Sequence, residues 1–226
     1  MEFLTDLWSY LADPEHWSGP SGIPSRLLEH GWMSLLAVVS ASLIAVPLGL
    51  WVGHRRKGSL LAVTVVNIGR AVPAFGILAL VFIATERLGF IPAYITLVIL
   101  SLVPLFVNAV TGVEGVDLDV IDAARGMGLS GRQILWRVEL PLSLPLVLTG
   151  VRLALVDVIA TATLAALVAW GGLGRFIIDG FAQRDQGQLV TGALLVAIVA
   201  VAADRLVQWA ERRTTVGPRG ESPVHS

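Results

Sequence analysis

Residues 126–131, Gly-Met-Gly-Leu-Ser-Gly, satisfy G-x-G-x-x-G. That spacing cradles a pyrophosphate when a strand precedes it and a crossover helix follows. Here helical patterns flank it on both sides, so the glycines fit a turn better than a nucleotide site. Gly171-Gly172-Leu173-Gly174 raises the same question and reads instead as a backbone hinge. No G-x-x-x-x-G-K-[ST] occurs, and the only lysine is Lys57. The chain therefore supplies no P-loop. It is not expected to be an enzyme, and any ATP hydrolysis that drives it falls to a partner. Four histidines (His16, His30, His54, His225) lie far apart and cysteine is absent. No metal ligand set and no disulfide follow from that pattern, and no bound cofactor is expected.

Arg70, Arg152 and Asp157 are of a different kind, because each sits within an apolar run. Charges at such positions are costly in lipid and usually face a bundle interior or a wet cavity. An Arg70–Asp157 pair and an Arg152–Asp157 pair both fit the spacing. Arg70 and Asp157, with Pro73 and the Gly171, Gly172 and Gly174 turn, are candidates for a path or gate. Arg152 also fits a snorkelling position near one interface. Aromatic faces can hold cations, but residues such as Trp32, Trp51, Phe75, Phe82, Tyr94 and Phe106 more often serve packing than a cage, and none is assigned to a ligand.

The elements that carry these residues are apolar. Of the 226 residues, 55% are hydrophobic and 15% charged, against about a quarter charged in soluble domains. The net charge of -1 gives no basic surplus for nucleic acid. About 20 apolar residues cross a bilayer core, and five segments qualify: Trp32–Val52, Leu60–Ala84, Ile91–Val110, Leu142–Trp170 and Leu189–Trp209. Pro73 is expected to kink the second, beside Arg70. Residues 1–26 lack the basic start of a signal peptide; LTDLWSYL reads either as an interfacial helix or as a loosely ordered leader. The tail, 211–226, reads as disordered. With the N-terminus outside, inner segments hold ten Lys and Arg residues and outer segments four. That bias predicts N-out, C-in. Gly49 and Gly53 form a G-x-x-x-G that can bring helices close.

Between the third and fourth spans lies the polar stretch 117–141. Asp119 reads as the cap of a first helix, with Asp122 three residues on. Val120, Ala123, Ala124 and Met127 fall at i, i+3, i+4 and i+7. Gly126 and Gly128 end that helix. Ser130 with Gln133 forms a second capping box, Ile134, Leu135 and Val138 give an apolar face, and Pro141 closes it. Two readings fit the pair: a helix that lies in a groove of another protein, or a connector packed on its own membrane domain. A DNA-binding pair is disfavoured, because Asp117, Asp119, Asp122 and Glu139 offset its arginines.

This stretch resembles the cytoplasmic loop of membrane subunits of binding-protein-dependent ABC importers. Their pattern is E-A-A, three residues, G, nine residues, I-x-L-P. Asp122-Ala123-Ala124, Gly128 and Val138-Glu139-Leu140-Pro141 match it in spacing, with Asp for Glu and Val for Ile. The stretches AARGMG, RVELPLSLPL, ATATLAALV, GGLG and NIGRAVPAFGIL are similar to the osmoprotectant branch, whose solutes are glycine betaine, carnitine, choline and proline-like compounds. Trp170 departs from the small residue expected before GGLG, and fits either a gating or an anchoring role.

The resemblance implies an all-α fold of about five spans, the type I importer permease fold, over residues 27–210 in a bacterial cytoplasmic membrane. It implies a coupling loop at 112–141, in which Asp122, Ala123, Ala124, Gly128, Val138, Leu140 and Pro141 meet a cytoplasmic ATPase. ATP and Mg would be held by that partner. A second permease subunit, identical or similar, and an extracytoplasmic binding protein complete the assembly implied. Other readings are a permease for methionine or another small solute, an ion-driven secondary transporter, and a membrane scaffold.

Overall fold

The computed structural model describes residues 2–56 and 59–214, without the side chains of 2–4, 59, 63, 66–68, 70, 213 and 214. Among the described residues the chain is helical and has no strand. Helix α1 (Glu2–Ala12) leads through a 3-10 turn (Pro14–Trp17) into α2 (Ile23–His54). Then come α3 (Ser59–Ala71), α4 (Ala74–Thr85) and α5 (Phe90–Glu114). Short helices α6 (Leu118–Gly126) and α7 (Gly131–Ile134) follow. A π turn, Leu135–Glu139, runs without a break into α8 (Leu140–Thr161), and a 3-10 segment, Ala162–Val168, extends it. Helices α9 (Gly174–Gln183) and α10 (Gln186–Thr214) complete the order.

Among the described residues, four apolar stretches are long enough to cross a membrane: Ile23–His54, Phe90–Glu114, Gly131–Val168 and Gln186–Arg212. Two of them, the first and the third, begin well before the expected spans, and all four outrun the minimum set by bilayer thickness. The second expected span is two helices rather than one kinked helix. Pro73 is extended (φ -62°, ψ 138°) and caps α4. A proline lacks the amide donor and forces its predecessor out of helical geometry, so the run breaks instead of bending. Residues 2–12 form a helix, and α10 continues to Thr214 through the start of the expected tail; residues 215–226 lie outside the description.

Helix α5 is the centre of the bundle, packed against α2, α8, α3 and α4, while α10 lies outside α8 and α9. The main core is narrow because its residues are small. Ala37, Ala41 and Ala45 of α2 meet Leu97 and Leu105 of α5, and Ala154, Val158, Ala162 and Ala165 of the α8 run. With no water to expel between helices in lipid, close van der Waals packing takes over the stabilising role. Gly49 and Gly53 belong to this seam. A Cβ on Gly49 would lie 2.6 Å from that of Ala109, and one on Gly53 would lie 2.9 Å from the Val110 carbonyl oxygen.

Arg152 of α8 faces α10, where its guanidinium lies 3.8 Å from Asp204 and 3.7 Å from Glu211. It pairs with these rather than with Asp157, and it ties α8 to α10 within the apolar layer. An arginine there is tolerable only with such partners.

Replacing Gly49 or Gly53 by Val is expected to part α2 from α5 and cost about 1–3 kcal/mol. Gly31→Ala, where an added Cβ meets nothing within 4 Å, is expected to be neutral or to stabilise by up to about 1 kcal/mol. Thermal unfolding in detergent measures both.

Candidate functional site

The α6–α7 segment is built from local signals. Asp117, not Asp119, is the N-cap of α6: its carboxylate accepts from the Asp119 amide at 2.9 Å. Asp119 sits inside the first turn, where its charge favours the helix dipole. A Schellman motif ends the helix. The Leu129 amide donates to the Ala124 carbonyl at 3.1 Å and the Gly128 amide to that of Arg125 at 2.8 Å. Gly128 takes φ +85°, which explains a glycine there. Ser130 and Gln133 form the capping box of α7.

The expected single apolar face divides in two. Ile121 and Ala124 turn inward with Val116 and Ile134, and Leu129 and Val138 pack against them. Val120, Ala123 and Met127 point outward and are exposed, Met127 at 75%. Leu118 and Trp136 are exposed beside them. Asp122 is exposed and pairs with Arg125 at 3.0 Å. Leu140 packs where α2, α5 and α8 meet. Pro141 is exposed and does not end a helix. The π turn before it widens the backbone at the point where the proline ring would crowd the carbonyl four residues back.

What sequence reasoning missed is how this segment is held. Glu139 is 1% exposed. His54 Nδ1 donates to its carboxylate at 2.5 Å, and the Arg56 guanidinium lies 3.9 Å from its other oxygen. Arg56 also donates to the carbonyls of Glu114 (2.7 Å) and Val116 (2.9 Å). A buried carboxylate needs such partners. The basic run after α2 and the acidic residue two before Pro141 were the visible signal, but nothing in the spacing joins positions 85 residues apart.

At the opposite end, Gly171–Gly174 is a seated turn rather than an open hinge. The Gly172 amide donates to Glu29 at 2.8 Å, and Arg26 holds the same carboxylate oxygen at 2.9 Å. Beneath, the buried His30 ring donates through Nε2 to the Ile159 carbonyl at 2.9 Å. A Cβ on Gly171 would strike Glu29, and one on Gly174 would strike the Thr163 carbonyl. Trp170 packs edge-on against Phe90, with centroids 5.1 Å apart, in the main core. Asp157 lies elsewhere, exposed on the face of α8 that carries Leu142, Leu146 and Leu153. The Arg70 side chain is outside the described residues. The structure therefore gathers the α6–α7 residues into one unit, while Pro73, Asp157 and the glycine turn stay apart.

The same end carries a polar cleft of about 740 Å³ between α1 and the start of α10. Tyr10 lines it, stacked on His16. Burial first, then the carboxylates of Asp185 and Asp13, push its phenol up to about 12.

Gly171→Ala and Gly174→Ala are each expected to lower stability by about 1–3 kcal/mol through overpacking. Gly126→Ala, with open space around its Cβ, is expected to stay within about 0.5 kcal/mol of the parent. Melting in detergent separates the three.

Residues 45–216 match the family described as binding-protein-dependent transport system inner membrane component. The glycine betaine/carnitine/choline transport system permease protein OpuCB of Bacillus subtilis is 34% identical over 192 residues, which cover 85% of this chain and 87% of that protein. The carnitine transport permease protein OpuCB of Listeria monocytogenes is 36% identical, covering 83% and 85%. Among solved structures, a chain of the MetNI methionine ABC transporter in an inward-facing conformation superposes with a TM-score of 0.76 at 19% identity, over 90% of this chain and 99% of that one. That likeness gives the fold. By its matched length and its relatives, the chain belongs to the binding-protein-dependent transport system inner membrane components.

Proposed function

We propose that the chain forms the membrane path by which quaternary ammonium osmoprotectants such as glycine betaine, carnitine and choline are imported, driven by ATP hydrolysed on separate subunits. The observation that carries this reading is the α6–α7 segment. Its inward face is satisfied by its own small core, while Val120, Ala123 and Met127 stand exposed in a row. A short helix with an unpartnered apolar row beside a small residue suits a groove on another protein. In a family of this kind that protein is the cytoplasmic ATPase. Asp122, Ala123 and Gly128 then lie at or beside the contact, while Ala124, Val138 and Leu140 hold the segment's shape, and the N-terminus is outside and the C-terminus inside.

The solute class rests on the relatives, whose names include glycine betaine, carnitine and choline over most of their length. Two permease subunits, alike or identical, enclose the path, and a binding protein delivers the solute from outside. The exposed row of α8 that includes Asp157 suits the wall between such subunits. Arg70, Pro73 and the Gly171–Gly174 turn remain the other gate candidates.

The test is gentle extraction of the tagged protein from its native membrane, with Gly128→Asp in parallel. The ATPase is expected with the parent and is expected to be lost or uncoupled in the variant, because an L residue at φ +85° costs about 1–2 kcal/mol and misplaces the loop. Uptake of labelled glycine betaine, competed by carnitine or choline but not methionine, checks the solute. Uptake that collapses with an ionophore at constant ATP would instead favour ion-driven transport.

A further inference from the structure

Glu139 joins two parts of the chain that share no covalent neighbour. The α6–α7 segment continues through the π turn into α8 as one helical run, Gly131–Val168, so any displacement of the segment reaches α8 through the backbone. Helix α2 has no such link. Its end meets the segment through His54 and Arg56. Glu139 accepts from His54 at 2.5 Å and faces Arg56 at 3.9 Å. The same Arg56 holds the carbonyls of Glu114 and Val116, where α5 gives way to α6. One guanidinium thus touches both the entry and the exit of the segment. It is aimed there by a left-handed backbone at Arg56, φ +55°. The His54 ring also lies over Gly131, the first residue of α7, where a Cβ would come within 3.4 Å of Nε2.

We propose that Glu139 is a positioning residue, the joint through which movement of the α6–α7 segment is passed to α2 as well as to α8. This rests on the reading that the segment docks on an ATPase. With the joint intact, α2 and α8 move as one body around the path. With it broken, the ATPase still binds and turns over, but α2 lags and solute movement falls out of step with hydrolysis. A buried carboxylate held by an imidazole and a guanidinium acts as a switchable joint because its geometry is fixed while paired and lost when one partner goes.

The experiment uses the whole complex with ATPase and binding protein, in vesicles, with Glu139→Gln, His54→Ala and His54→Asn beside the parent. Asn keeps a donor near the place of Nδ1–H; Ala does not. The expected result is ATPase bound in every case, hydrolysis retained, and solute imported per ATP down about tenfold, within the usual range of coupling energies, in Glu139→Gln and His54→Ala, with His54→Asn largely restored. If Glu139→Gln fails to fold, the two His54 variants decide alone. Equal solute per ATP in His54→Ala and the parent overturns the proposal. So does loss of the ATPase from His54→Ala, since the clamp would then only hold the segment's shape. A parent that carries no ATPase overturns the docking reading first, and this one with it.

Discussion

The buried carboxylate of Glu139 sets the shape of one whole end of the molecule. Its environment is close to the worst available for a lone charge, and the Born cost of desolvating an ion is offset only by well-placed partners. His54 and Arg56 are those partners. The end of α2, the end of α5 and the start of α8 are therefore fixed relative to one another by polar bonds as well as by the apolar contacts around Leu140.

The contrast with the apolar layer follows from the solvent. In lipid, side-chain burial brings no release of water, so helices approach through small residues and fill the space between them. Ala37, Ala41, Ala45, Gly49 and Gly53 make α2 a smooth rail along α5. Two polar side chains of the bundle have counterparts: Arg152 lies between Asp204 and Glu211, and the His30 ring meets the Ile159 carbonyl. The backbone of the Gly171–Gly174 turn is likewise satisfied by Glu29.

Much of this was legible in the sequence where the signal was local. Apolar length found the spans, the Ser130–Gln133 pair found a cap, and Gly128 found a left-handed turn. The errors were local as well. Asp117 and Asp119 are both good caps, and only the register of the inward face, Ile121 with Ala124, selects the first. Val120, Ala123, Ala124 and Met127 read as one stripe because a short helix with two apolar contacts blurs its own periodicity. Pro141 reads as a stop because the π turn that accommodates it has no sequence mark. The Glu139 clamp was out of reach altogether, since a pairing between distant residues leaves no periodic trace.

That π turn makes the facing of α8 depend on a count. In an α-helix each residue turns the chain by about 100°, and a π turn inserts one residue's worth of slack into the ladder. Leu135–Glu139 therefore acts as a vernier between the α6–α7 segment and everything after it. Loss of one residue there would keep the helix and its length almost unchanged. It would close the π turn to an α turn and leave Asp157 and the Ala154–Val158 seam facing much as they do, whereas the same loss in the regular helix beyond would turn everything after it by about 100°. Within the run from α7 to α8, these five positions are where the loss of one residue disturbs the facing of the bundle least.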